Sequence, residues 1–425
     1  MVGAGFAGLA AATALQQFGY DVAVVEARDR VGGKVEAVSD ASGRPIDVGG
    51  QFVNDDMHHV LGLIAAQGKR LLTSGEPSPD EGCDGQVFAA PRASGEHLAE
   101  LRRGFTWADA TFSAVLEIAD LPAGSNITLG TWLDSLGHHA MALAAIRSSL
   151  AGVMCMSVDD IPLAHVIDLA RRTPLTRGEL QYVVAETLHG VAVDLASQLR
   201  RPVFLSCDAR AISVADRRVT IRARSVTIEA RHALIAVPPT AYRTMSFQPA
   251  LPAEVTRAAT AFRAGSVMKF LIGYDHAFWR RPDVGSVSQW LDPAGLYVRD
   301  ASLADDRSML VAFVGGPTAD AWRHLSVAHR RTALLDCLIA AYGNEANTPR
   351  MFLERDWAPD EWGAGGYWNV LVDPSIADAA AILLRGVPGI TFASTELASV
   401  FPGYVEGAID SGVAAADTVR SLLGE

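Results

Sequence analysis

Apolar and polar positions change rhythm several times along the chain, and each change marks an element. Near the start, the Ala- and Leu-rich residues 9–18 predict a helix, and Gly19 sits where a glycine commonly ends one. Asp21-Val22-Ala23-Val24-Val25-Glu26 follows, a short apolar run that reads as a buried parallel strand. From about residue 95 to 190, apolar residues recur at three- and four-residue steps, as at Leu98, Leu101, Trp132, Leu133 and through 142–150, and predict a helical insert. Between 205 and 239 the period becomes two: Val219-Thr220-Ile221, Val226-Thr227-Ile228, then Leu234-Ile235-Ala236-Val237-Pro238-Pro239. These are short strands with turn residues between them. Val267-Met268-Lys269-Phe270-Leu271-Ile272 is apolar except for one lysine, which must snorkel or find polar partners. Phe392 ends a further strand, and residues 405–419 predict a helix with small residues on one face.

The opening joins this pattern to chemistry. Gly3-Ala4-Gly5-Phe6-Ala7-Gly8 precedes the first helix, and Glu26 closes the strand after it. In such a unit the first glycine makes a tight turn, the second lets a pyrophosphate approach the backbone, and the third lets helix and strand pack closely. The phosphates then lie at a helix N-terminus, where free N–H groups and the dipole favour an anion. Glu26 is placed to accept hydrogen bonds from a ribose hydroxyl. The strand before the motif is only Met1-Val2. Either the natural start lies upstream, or the first strand is clipped, which would leave neighbours with unpaired backbone groups.

Composition narrows the classes. The 425 residues are 49% hydrophobic and 20% charged, ample for a large core and for two or three domains. The net charge of −12 argues against nucleic acid or an anionic membrane surface as a partner. Cys83, Cys155, Cys207 and Cys337 form no paired motif and read as reduced thiols. No apolar run reaches the ~18 residues that span a bilayer. A cytoplasmic location is the expectation, and a homodimer is admitted. Met154, Met156 and Met268 read as core, and His58-His59 as surface.

The segment after Glu26 is more specific. Ala27-Arg28-Asp29-Arg30-Val31-Gly32-Gly33-Lys34 resembles the second FAD-contact segment of the flavin monoamine oxidase family, E-A-x-x-R-x-G-G-R, with Lys34 for the usual arginine. Asp47-Val48-Gly49-Gly50-Gln51-Phe52 resembles the family's D-x-G-G-x-x segment beside the flavin, and 391–417 resembles F-A-G-x-E, G-Y-x-E-G-A and S-G-x-x-A-A, with Ser394 for the commoner glycine. The resemblance covers both ends and residues 200–280 strongly, and the helical insert in general character. It implies an α/β fold: a Rossmann-like FAD-binding domain of the monoamine oxidase type (1–71, 185–258 and 361–425) with a mixed-sheet and helical substrate domain (72–184 and 259–360).

The resemblance also implies roles. Cofactor contacts fall on Gly3, Gly5, Phe6, Ala7, Gly8, Glu26, Ala27, Arg28, Gly33, Lys34, Gly49, Gly50, Gln51, Phe52, Glu396, Gly403, Tyr404 and Val405. Ala209 takes the place of an adenine-contacting valine, counted back from Val219. The helix from 405 should aim its N-terminus at the flavin C2 carbonyl region. Lys269, in Gly265-Ser266-Val267-Met268-Lys269, matches the family lysine that holds a water against flavin N5 and is implicated in reoxidation. Trp368 and Tyr404 match the two walls of the aromatic cage. Tyr367 stands where covalent members carry a flavin-linked cysteine, so the FAD is expected to be non-covalent.

The implied activity is amine oxidation: a hydride leaves the carbon next to an amine nitrogen, the imine hydrolyses to a carbonyl, and oxygen yields hydrogen peroxide. The expected partners are a small amine and oxygen. Asp55 and Asp56 could face a cationic tail, though a solvated loop explains them too. Two alternatives stay open. One is another flavin oxidoreductase of this fold, of the carotenoid desaturase or protoporphyrinogen oxidase type. The other is a degenerate flavin-binding protein without catalysis, to which the short first strand, Lys34 and Ser394 lend weight. No metal-hydrolase or nucleophile-triad motif stands among the 11 histidines.

Overall fold

The computed structural model describes residues 1–74, 86–88, 95–118, 121–122, 124–174, 180–281, 287–303, 307–363 and 365–424; Cys83 and Ala364 lie outside them. The chain separates into two compact units. One comprises Met1–Leu71, Arg171–Ala264 and Glu361–Glu425, the other Leu72–Ala170 and Gly265–Asp360.

The first unit is built on a parallel sheet of very short strands. Bridges run Phe204 to Val25, Val25 to Val2 and Val2 to Ile235, and Ile235 pairs in parallel with Phe392. This places the chain's first strand at the centre, an order seen in dinucleotide-binding sheets. Val2 donates to Leu234 and accepts from Ala236, Gly3 donates to Val25, and Met1 accepts from Val25, so Met1–Gly3 is bonded to a strand on either side.

The opening helix, Phe6–Gln17, ends one residue before Phe18, where Gly19 at φ 89° turns the chain and donates back to Gln16. The closing helix, Val405–Leu423, runs four residues beyond the predicted end. Its small face lies on the opening helix, and a Cβ on Gly412 would fall 2.2 Å from the Ala7 carbonyl oxygen. The two ends of the sequence are therefore in backbone contact. The period-two region forms a separate sheet, in which Ala209–Ala215, Arg218–Ala223 and Thr227–Ala230 pair antiparallel and Ser246–Gln248 adds a parallel edge.

The second unit carries a six-stranded mixed sheet in the order Met351–Asp356, Val267–Tyr274, Ser308–Gly315, Leu296–Asp300, Val287–Trp290, Gln86–Phe88. All pairs are antiparallel except the last. The helices Glu96–Asp109, Ala140–Met154 and Val327–Tyr342 belong to this unit. Alternate residues Met268, Phe270, Ile272 and Tyr274 enter its core with Leu310, Ala312 and Val314. Met154, Met156 and Met268 are all buried. Among the described residues, no helix is long and apolar enough to cross a membrane.

Candidate cofactor and active site

The opening turn is closed by its own acid. Glu26 is buried at 4% exposure; its Oε2 accepts from Ala4 N at 2.7 Å and its Oε1 from Arg28 N at 2.9 Å. Each carboxylate oxygen keeps a further lone pair for a ligand hydroxyl. Gly8 cannot carry a side chain, because its Cβ would lie 2.0 Å from the Gly3 carbonyl oxygen. The helix that starts at Phe6 has no side-chain cap and no acid in its first turn. Its first N–H groups thus lack an intrinsic partner, the arrangement that binds a phosphate.

The second and third segments close on this turn. Gly32 N donates to Ala4 O at 2.8 Å, and a Cβ on Gly33 would stand 3.1 Å from Gly5 Cα. Gly49 N donates to Glu36 O and Gly50 N to Lys34 O. Arg30, a motif residue without an assigned contact, is the organiser of this loop. Its guanidinium donates to the carbonyls of Val31, Gly33 and Val35 and to the Glu36 carboxylate. Asp47 accepts from Leu188 N and His189 N, tying the start of the helix Leu188–Ser197 to the segment. Gln51 is buried, and Phe52 pairs with Val183. Lys34 spends its ammonium on the Gly366 carbonyl at 2.8 Å, which draws the Trp368 segment to the glycine loop. Asp55 is bonded to Gln181, while His58 and His59 are exposed.

The C-terminal motif residues assemble around one short turn, Thr395–Leu397. Gly403 has φ 92°, and a Cβ there would meet the Trp368 indole at 2.7 Å. Only glycine suits both the backbone and the ring. Tyr404 follows as the residue preceding the closing helix, and Val405 opens that helix. Ser394, in place of glycine, has φ −169°, an extended conformation open to any residue, and its N–H bonds Ser411 Oγ. Glu396 accepts from Asn369 N and Nδ2 through Oε1, while its buried Oε2 has no partner among the described residues. Trp368 Nε1 is likewise buried without one among them. Tyr242, stacked on Phe392, has its hydroxyl pushed well above the usual phenol range by burial and, second, by Glu396. Glu406, the acid of the G-Y-x-E motif, is buried and accepts from His59 N and Val60 N, capping the helix His58–Ala66.

Lys269 lies in the second unit and is 4% exposed. It projects from the sheet face opposite the apolar core. In register it stands between Phe313 and Arg355, with Nζ 5.9 Å from the Phe313 ring centre. Arg355 is itself occupied by Asp360 at 3.1 Å and by the Trp357 ring at 4.3 Å. Gly265, ahead of the lysine, fits against the Cys155 carbonyl.

Ala209 sits in the antiparallel hairpin, paired with Ala223. The chain beside the Glu26 corner comes slightly earlier: Glu26 N donates to Phe204 O, Ser206 N to Arg28 O and Cys207 N to Glu26 O. The signal was the apolar Val203-Phe204-Leu205 run, a strand too short to stand out. Among the described residues no cluster of His, Cys, Asp and Glu could hold a metal. The first unit fits a dinucleotide cofactor: an uncapped helix start, a glycine cradle, and a buried acid oxygen and indole N–H awaiting partners.

Comparison with known proteins agrees with this geometry. A family model described as flavin containing amine oxidoreductase matches residues 6–420. The chain is similar to a putative flavin-containing monoamine oxidase AofH of Mycobacterium tuberculosis, at 29% identity over all of this chain and 96% of the relative. It is also similar to an L-amino acid dehydrogenase of Synechocystis, at 26% identity over all of this chain and 94% of the relative. The solved cyclohexylamine oxidase of Brevibacterium oxydans superposes with a TM-score of 0.87 at 25% identity, covering 100% of this chain and 98% of the other.

Proposed function

The chain belongs to the flavin-containing amine oxidoreductase family, and from that premise we propose that it oxidises a small amine at the carbon next to nitrogen, passing the electrons to oxygen. Bound FAD supplies the hydride acceptor and the route to oxygen. The protein's residues supply the rest. The uncapped start of the Phe6–Gln17 helix and the Gly5–Gly33 cradle hold the pyrophosphate, and Glu26 accepts from a ribose hydroxyl. Trp368 and Tyr404 flank the amine, orient it as the neutral base and exclude water. Lys269 holds a water for the oxygen half of the cycle. No general base is assigned, because the amine's own lone pair drives the loss of hydride. Tyr367 in place of a linking cysteine leaves the flavin releasable.

The observation that carries this reading is the seating of the Trp368 indole on Gly403, one residue before Tyr404. It supports a built aromatic wall rather than incidental packing. Among the described residues Cys207 and Cys337 are thiols outside any disulfide, which favours a reducing compartment, and we propose a cytoplasmic location, to be checked by fractionation.

A panel of primary, secondary and polyamines, with L-amino acids alongside, tests the proposal by peroxide release and by reduction of an added dye. Peroxide from an amine is expected. Dye reduction by L-amino acids alone would move the substrate class to amino acids and the acceptor away from oxygen. Silence across the panel from a flavin-loaded protein would favour the non-catalytic alternative. In the Lys269→Met variant, turnover or reoxidation should fall while FAD stays bound; unchanged kinetics in both half-reactions would refute the role given to Lys269.

A further inference from the structure

The three-residue turn Thr395–Leu397 holds both aromatic walls at once. Thr395 Oγ1 accepts from Gly403 N at 2.7 Å and donates to Tyr404 O at 2.9 Å. One residue on, Glu396 Oε1 accepts from Asn369 N at 3.0 Å and Asn369 Nδ2 at 2.9 Å, and Asn369 directly follows Trp368. Asn369 is locked further by Thr240 Oγ1, which donates to its Oδ1 at 2.5 Å. The turn is braced from behind: Arg172 Nη1 donates to Glu396 O at 3.2 Å and Ala398 O at 2.8 Å. Glu396 is 4% exposed, and Thr395 is half-buried.

We propose that Thr395 and Glu396 are positioning residues that set the spacing of the Tyr404 and Trp368 rings, and so the width of the slot an amine must enter. This rests on the amine-oxidase reading of those two rings. Of the two roles suggested for Glu396 by the family motif, a bond to the cofactor's hydroxyls or one to the backbone, it rests on the second. The bonds reach the backbone on either side of the rings rather than the rings themselves. Each side chain fixes where a ring's Cα sits, and packing, as of Trp368 on Gly403, fixes the rest. Adjacent residues on one short turn cannot move independently, so the two walls share one reference point.

The test uses the FAD-loaded protein with Glu396→Leu, which keeps bulk and removes the acceptor, and Thr395→Val, which removes both threonine hydrogen bonds. Glu396→Gln and Thr395→Ser restore an acceptor and a hydroxyl. Crystal structures of the first pair are expected to show Trp368 and Tyr404, respectively, displaced by about 1 Å, with kcat/KM for bulky amines falling up to about 10²-fold. FAD affinity of Thr395→Val should stay within about threefold of the parent, and the conservative variants should recover most of the loss in kcat/KM. In a Trp368→Ala background, Glu396→Leu should add little, because its effect passes through the ring. Undisplaced rings in both variants would overturn the proposal. So would an Glu396→Leu protein whose only defect is lost FAD affinity, since Glu396 would then be a cofactor ligand. If Glu396→Leu or Thr395→Val fails to fold, the conservative pair decides through the same structures and the KM-against-kcat split: rings at the parental spacing with near-parental kcat/KM are expected, and displaced rings in Glu396→Gln or Thr395→Ser would count against the assignment. Absence of amine turnover by the parent protein, with displaced rings in the variants, would sink the functional reading and leave the clamp standing.

Discussion

Placing a single methyl group on Gly403 should damage catalysis and stability together. In Gly403→Ala the new Cβ would lie 2.7 Å from Trp368 Cε3 and 3.1 Å from Cδ2, against the 3.4 Å at which ordinary contact begins. The indole or the backbone must therefore retreat by roughly 0.7 Å, and overpacking of that kind costs about 1–3 kcal/mol. The backbone adds its own term, because φ is 92° and a side chain in that region costs about 1–2 kcal/mol. Together these lower the unfolding temperature by about 5–15 °C in a unit of this size. A misplacement approaching 1 Å beside the reacting carbon should reduce kcat/KM by about 10-fold or more. The assays are a thermal melt followed by flavin release, and steady-state kinetics on the best amine of the panel. An alanine variant with parental melting temperature and parental kcat/KM would show that neither the glycine nor the seating of Trp368 on it matters.

Other outcomes follow from the same geometry. Gly8→Ala places a Cβ 2.0 Å from the Gly3 carbonyl oxygen, so the helix must lift from the turn; the purified variant should be colourless or insoluble, and a yellow, parent-like protein would contradict the packing argument. His232 is held down to about 4 from 6.5 by burial first and the nearby terminal amine second. The unfolded chain then takes up a proton below pH 6.5 that the folded chain refuses until about 4, so stability falls as pH drops through that window. Discounted for the ring's partial exposure, the loss is about 1–2 kcal/mol. Urea denaturation at pH 7 and pH 4.5 should show it, and a His232→Gln variant should lack that part of the slope.

Local pattern was enough for most elements, because they are written in consecutive residues, although the run 21–26 contributes only a bridge at Val25. The helix that stops two residues before Gly19 and the strand holding Lys269 follow from periodicity and one backbone preference each. The functions of several motif residues were not legible, since their partners lie far along the chain. Asp47 binds residues 188 and 189, Glu406 caps the helix at residue 58, and Lys34 reaches Gly366. No window of sequence contains both partners of such a bond. Lys34 illustrates the point: its ammonium reaches a backbone carbonyl on the Trp368 segment, 332 residues further along the chain. The segment that enters the sheet beside Glu26 at Phe204 is a short run that periodicity alone does not mark. Asn369, the link between Glu396 and Trp368, carries no motif signal and emerges only in three dimensions.

The most direct test of the whole is an anaerobic titration of the purified protein with an amine, followed through the visible absorption of the flavin. The account predicts a yellow protein whose absorption bleaches stoichiometrically with added amine, returns when oxygen is admitted, and passes into the supernatant as free FAD after denaturation. A protein that cannot be loaded with FAD, or whose loaded flavin stays oxidised under every amine tried, would contradict it.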